Sequence, residues 1–252
     1  MLNLIKMDFR RTFRTPLFYA LLLGLGVMLG TFAMTGVMGE NQSIAALIGP
    51  VNTAGNMMST MGMSMVLIFG AIYVVSIIGN DFSTGFIKNI LTVHANKRTY
   101  IFSKLVIGTI SSALMLAFYV VLMAVLGLIQ GLPLGIPSAL GLILFLGEKL
   151  LLAVALNALL IGFELLFRNL PVSILACFMF GMGGATMLLS MLGASLKIPM
   201  LQTISTVTIA GSNGIGTLKF VAGDFVHIMV CSVIWLVFSV LCTCLIMKKK
   251  DV

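Results

Sequence analysis

Long uncharged apolar runs divide this 252-residue chain, and most have the length of one membrane crossing. Residues 17–38 and 61–79 contain no Asp, Glu, Lys or Arg, and similar runs cover 105–130, 172–194 and 225–247. About 20 mostly apolar residues in a helix cross a bilayer core of about 30 Å. Helices satisfy their own backbone polar groups there, and the alternation of barrel strands is absent. The apolar text 134–167 is too long for one straight span and contains Glu148, Lys149 and Glu164. One reading places the span at 147–167, with 131–146 as an apolar hairpin; a helix starting near Ser138 is the alternative. Either way the pattern predicts an all-α polytopic membrane protein with six spans, forming a single transmembrane domain over 1–252.

The stretches between the runs are patterned too. In residues 1–16, Leu2, Ile5, Phe9 and Phe13 recur at helical spacing, while Lys6, Arg10 and Arg14 recur every four residues. A basic amphipathic helix of this kind lies in the membrane interface. Segment 195–224 is too apolar for a solvated loop and is expected as short helices dipping partly into the bilayer, with Gly211, Gly214 and Gly216 giving turns. Irregular backbone at that depth needs protein or water around it. The glycines of "GMGGA" at 181–185 are expected to let helices pack closely rather than to hinge.

Composition agrees with the pattern. The chain is 60% hydrophobic and 9% charged, where soluble domains carry roughly 25% charged residues, and its mean hydropathy is +1.17. The net charge of +8 is a topology signal rather than a nucleic-acid footprint. With six spans, 12 of the 15 basic residues fall on one face, which makes that face and both termini cytoplasmic. The first span is expected as a retained anchor, not a cleaved signal. Cys177, Cys231, Cys242 and Cys244 fall inside spans and read as small apolar side chains.

Few positions offer chemistry. Residues 211–219 hold glycines near Lys219 but lack the Gly-Lys-Ser/Thr ending of a phosphate-binding loop, so no ATPase site and no catalytic residue is expected. Met57, Met61 and Met65 would share a helix face, as packing, as an adaptable lining for an amphipathic substrate, or as a Cu(I) entry site. His94 and His227 belong to opposite sides, and no metal site is expected. Glu164 and Arg168, four apart with the acid first, are expected to form a structural ion pair before Pro171. Glu148 is bland at an outer interface if its helix starts at 147. It is a substrate or proton candidate if the helix starts near Ser138.

One segment interrupts the apolar text with compact charge: "GNDFSTGFIKNILTVHANKRTYIFSKL", residues 79–105. From Asp81 on, Phe82, Phe86, Ile87, Ile90 and Leu91 form one apolar helical face, and Ser83, Thr84, Lys88 and Asn89 another. A polar turn follows, then Lys97, Arg98 and the start of span three. An amphipathic piece like this docks into a partner's groove.

This stretch resembles the loop after span two in permeases of type 2 ABC exporters, particularly the small six-span permeases of Gram-positive bacteria. Asp81, Gly85, Ile87, Lys88, Asn89, Ile90, Leu91, Ser103 and Lys104 carry the match. Lys97 stands where the family usually has Arg. The resemblance implies a coupling helix within 80–104, with Asp81, Phe82, Gly85, Phe86, Lys88, Ile90, Lys97 and Arg98 meeting cytoplasmic ABC ATPase subunits. Those subunits would bind ATP and Mg. It also implies a second permease chain, surrounding membrane lipid, no nucleic-acid partner, and residence in a bacterial cytoplasmic membrane. The implied activity is outward export of an amphipathic peptide, bacteriocin or lipophilic drug. The rival is a channel or secondary carrier, although two related halves and midplane polar groups are not evident.

Overall fold

The computed structural model describes residues 2–37, 62–87, 97–132, 136, 138–215 and 221–249. All regular structure among them is helical. In chain order the helices are α1 (Leu2–Arg14), α2 (Pro16–Val37), α3 (Gly62–Ser83), α4 (Lys97–Ile129), α5 (Ala139–Phe167), α6 (Leu170–Gly181), α7 (Gly184–Ser195), α8 (Pro199–Val207), α9 (Ile209–Ile215) and α10 (Ala222–Lys249). Four of them contain segments long and apolar enough to cross a membrane: Ser64–Ser83, Thr99–Ile129, Ala139–Phe167 and Ala222–Lys248. Two bent pairs, α1–α2 at 57° and α6–α7 at 56°, raise the number to as many as six if each pair is one span.

The central element is α5. It packs most extensively on α10 and also on α3, α4 and α6. Leu152, Ala155, Leu156, Leu160 and Ile161 have no exposed surface, as expected of a helix apolar all round and covered on several sides. In lipid such helices are held by close packing and by interhelical hydrogen bonds. Asn157 supplies the bonds at mid-helix, donating from Nδ2 to the Gly108 carbonyl at 3.2 Å and to Ser112 Oγ at 2.9 Å.

Two expected boundaries are corrected. The fourth span begins at Ala139, not 147, because the Ser138 hydroxyl accepts the Gly141 N–H at 3.0 Å and caps the helix there. The hairpin expected over 131–146 is therefore mostly helix. The fifth span is not one helix. Gly183, at φ +90°, takes a left-handed conformation that a side chain disfavours, and the chain bends between α6 and α7. Gly181 does pack as expected, since a Cβ there would stand 2.6 Å from Ile68 Cγ1. The helix of the third span starts at Lys97, ahead of its apolar run as the polar lead-in at 97–104 suggests, and α4 is about 50 Å long at 1.5 Å per residue. Its first turns therefore extend beyond a membrane core of about 30 Å.

Candidate functional site

At the end of the bundle where α1 lies, three helices bring two carboxylates and two cations together. The helix α3 stops just after Asp81. Ser83 and Thr84 donate their hydroxyls to the Asn80 carbonyl at 3.1 and 2.7 Å, and Gly85 follows at φ +69°. These bonds compete with helix continuation. Asp81 is thus left in the last turn of α3, fully buried, where the negative end of the helix dipole opposes its charge. Cations from two other helices compensate. Arg11 of α1 donates from Nη1 to Asp81 Oδ1. Lys104 of α4 pairs with Asp81 Oδ2 at 2.7 Å, and the Tyr100 hydroxyl donates to the same oxygen at 3.1 Å.

Lys104 also reaches a second acid. Its Nζ donates to both carboxylate oxygens of Asp8 at 3.0 Å, and Ser103 Oγ donates to Asp8 Oδ2 at 3.1 Å. Lys104 and Asp8 are 2% and 1% exposed, so water screens this bridge little. Two acids and two bases sum to zero charge, the condition for holding Asp8, Asp81 and Lys104 away from water, with Arg11 half-buried at the edge. The cluster ties α1, α3 and α4 into one unit. Around it, Leu4, Ile78, Ile87, Tyr100 and Ile101 form a buried apolar cluster against which Phe82 and Phe86 pack partly. The Arg11 guanidinium lies over the Phe86 ring at 5.6 Å.

The face of α1 toward the bundle is Leu4, Asp8 and Thr12, all buried, while Phe9 and Phe13 of the expected apolar face are exposed, as a face turned to lipid would be. One expectation is corrected: Asp81, Phe82 and Phe86 do not share one amphipathic helix, because α3 ends and Gly85 turns the chain between Phe82 and Phe86. Asp81 faces partners within this chain and not outward. Lys88 and Ile90 lie outside the described residues; Lys97 and Arg98 open α4, with side chains outside the described set.

Next to the cluster, a groove of ≈ 720 Å³ opens between the α1–α2 junction and the ends of α3, α5 and α6. Glu164 and Arg168 both line it, but they do not form the expected ion pair. The helix α5 ends at Phe167, and Arg168 takes a left-handed cap conformation, φ 51°, with its N–H on the Glu164 carbonyl at 2.8 Å. That conformation takes the side chain off the helical i, i+4 row, and its guanidinium lies over the Phe82 ring at 5.2 Å. Glu164 is 1% exposed; its Oε2 has no hydrogen bond of normal geometry among the described residues, and the buried Ser173 hydroxyl is within weak reach of the carboxylate.

Deeper in α5, and nearer its other end, Glu148 and Lys149 are 6% and 1% exposed. They lie about 14 Å along the helix from its start, so the alternative reading of an embedded pair replaces that of an outer-interface pair. Lys149 Nζ donates to the Asn213 carbonyl at 2.6 Å and to its Oδ1 at 3.0 Å, and Asn213 Nδ2 donates to Ser64 Oγ at 3.0 Å. Within segment 195–224 the described residues form the short helices α8 and α9, and Ile209, Ser212 and Asn213 of α9 are buried in the bundle; Gly211 and Gly214 lie inside α9 and not at the expected turns, and Gly216 lies outside the described residues. Met65 is buried in the core with Phe18, Leu25 and Tyr73; Met57 and Met61 lie outside the described residues.

Asp8, Tyr100 and Ser103 escape a reading of charge and period, although one signal for Asp8 exists. It is the sole acid in an otherwise basic helix, four residues from both Leu4 and Thr12. A search of curated proteins finds no match to the chain. Residues 4–184, which include the charge cluster, the groove and the whole of α5, match the family model described as ABC-2 family transporter protein. With that match over most of its length and with its apolar helices, the chain belongs to the ABC-2 family of transporter proteins and is a multi-pass membrane subunit of that kind.

Proposed function

We propose that this chain is the permease of an ATP-driven exporter in a bacterial cytoplasmic membrane, with both termini and residues 80–104 cytoplasmic. Separate ATPase subunits bind ATP and Mg, and a second permease chain, identical or homologous, completes the pathway. The observation that carries this reading is the charge cluster of buried Asp8, Asp81 and Lys104 with half-buried Arg11. It joins the last turn of α3 to the first turns of α4, the two helix ends within segment 80–104. A force applied to that segment passes through buried ion pairs into α1, α3 and α4 together rather than being lost in a flexible loop. ATP-driven movement of the ATPase thereby biases a two-state membrane element.

The roles divide accordingly. Asp81 and Lys104 anchor the segment. Gly85 is its bend, Phe82 and Phe86 brace it, and Lys88, Ile90, Lys97 and Arg98 meet the ATPase. α1 lies in the membrane interface, with Lys6, Arg10 and Arg14 toward lipid phosphates. Cargo of the amphipathic peptide, bacteriocin or lipophilic drug class passes Glu148, whose embedded carboxylate is suited to a cationic group on it.

Co-expression with the cognate ATPase at matched permease levels tests the coupling. Phe86→Ala should lower ATPase co-purification or ATP-dependent transport by about tenfold. That is the effect of losing roughly 1.4 kcal/mol, less than the full 3–5 kcal/mol of a wholly buried Phe. Lys88→Ala should change either by less than about threefold, as exposed charges do. Retention of both partner and transport by Phe86→Ala, or labelling of Asn96→Cys from outside intact cells, refutes this arrangement.

A further inference from the structure

We propose that the groove between α3, α5 and α6 seats the headgroup of a membrane aminophospholipid, with its ammonium on Glu164 and its phosphate on Arg168. Glu164 carries the first half of the argument. It is 1% exposed, lines the groove, and leaves Oε2 without a hydrogen bond of normal geometry among the described residues. A buried carboxylate oxygen left this way is costly, and a cation or strong donor relieves the cost. The neighbouring Arg168 does not supply it, because its guanidinium is over Phe82, and the nearby Ser173 hydroxyl is a neutral donor that neutralises no charge.

Depth and charge layout choose the ligand. Glu164 is three residues from the end of α5, about 5 Å along the axis, which is headgroup depth rather than mid-bilayer. Arg168, in the break between α5 and α6, is exposed. Negative charge inside and positive charge at the rim match a zwitterion with a terminal ammonium and a phosphate one short link behind it. A primary ammonium offers three N–H donors to Glu164, whereas a trimethylammonium offers none. Asn80 and Ser83 add polar groups to the lining. Leu170 of the lining and the adjoining end of α5, Leu166 and Phe167, are apolar and 36–50% exposed, which suits acyl chains and not a soluble amine. Phosphatidylethanolamine has all of these features.

The full chain, purified in detergent without its ATPase, is titrated with phosphatidylethanolamine, phosphatidylcholine and phosphatidylglycerol of equal acyl length, and with soluble phosphoethanolamine. Lipid retention by native mass spectrometry and the thermal midpoint are read. Phosphatidylethanolamine should be retained and raise the midpoint. The other two lipids should bind at least about tenfold more weakly, and phosphoethanolamine should shift nothing at the same concentration. Glu164→Gln should abolish the preference for the amine lipid, and Arg168→Gln should weaken phosphatidylethanolamine and phosphatidylglycerol alike. Equal binding of phosphatidylcholine or phosphatidylglycerol, an equal response to phosphoethanolamine, or an intact preference in Glu164→Gln overturns the proposal. Should Glu164→Gln not fold, the lipid series on the unaltered chain decides alone. No arm involves ATP or cargo, so a failure here leaves the exporter reading untouched.

Discussion

Asp81 and Glu164 close neighbouring helices at the same end of the bundle, both nearly inaccessible to water, and their surroundings are opposite. Each carboxylate lies near a helix C-terminus, the disfavoured place for an anion. Around Asp81, α1 and α4 supply Arg11, Lys104 and the Tyr100 hydroxyl, so both oxygens are bonded. Glu164 has a basic residue four positions on in its own chain, yet the helix ends first and Arg168 turns onto Phe82. The difference shows that sequence spacing is a weak guide to pairing at a helix end, where one left-handed residue undoes it. Cations from distant segments pair reliably when packing fixes their helices.

The comparison can be broken first at its strong half. Asp81→Ala leaves Arg11 without its acid and Lys104 with only Asp8. Removing one partner of a buried pair costs about 3–5 kcal/mol, so this variant should show the largest loss of thermal stability, read by fluorescence-detected gel filtration of the full chain. Asp8→Asn and Lys104→Gln should each be severe, and together they should cost at least about 1 kcal/mol less than their sum. Additivity within about 0.5 kcal/mol would mean that the Asp8–Lys104 bridge contributes nothing.

Why Asp81 and Glu164 are so unequally legible in the sequence follows from what each depends on. Apolar run length reports spans, because hydrocarbon thickness imposes it, and the runs at 61–79 and 105–130 match α3 and α4 to within one residue at the end that overhangs, while that at 225–247 lies within α10. Run length does not report ends. Asp81 and Lys104 are conspicuous as charges, but their meeting needs the tertiary approach of α3 and α4, and Asp8 joins only because α1 turns Leu4, Asp8 and Thr12 inward. The cap at Ser138 and the bend at Gly183 are single-residue events that hydrophobic period averages away. Glu148 illustrates the consequence: moving one helix start from 147 to 139 carries it from an interface into the bundle.

Lys149 offers an intermediate case, a buried cation held by dipoles instead of acids. Its ammonium donates to the carbonyl and side-chain oxygens of Asn213, which fixes α9 against α5, and Asn213 continues to Ser64 of α3. Lys149→Met keeps the stem's packing and removes those donors. The two oxygens then stand unsatisfied, at roughly 1–3 kcal/mol, a smaller effect than at Asp81. Loosening of α9 should appear as faster hydrogen exchange over residues 205–215, with residues 97–105 unchanged. Equal protection of α9 in the variant would mean that apolar contacts of Ile209 hold it without the lysine.

The smallest effect is expected at Glu164 and Arg168, and it sharpens the contrast most. In lipid-free detergent Glu164→Gln removes a charge that no cation neutralises, so stability should stay within about 0.5 kcal/mol or rise, the reverse of Asp81→Ala. Arg168→Gln loses its stacking on Phe82, about 0.5–1 kcal/mol at an exposed site. Since the two side chains do not touch, the double variant should cost the sum of the singles to within about 0.3–0.5 kcal/mol. Thermal midpoints of the four proteins measure this directly. A coupling of 1 kcal/mol or more would put the guanidinium back on the carboxylate in solution. It would also remove the unpartnered oxygen on which the difference between the two acids rests.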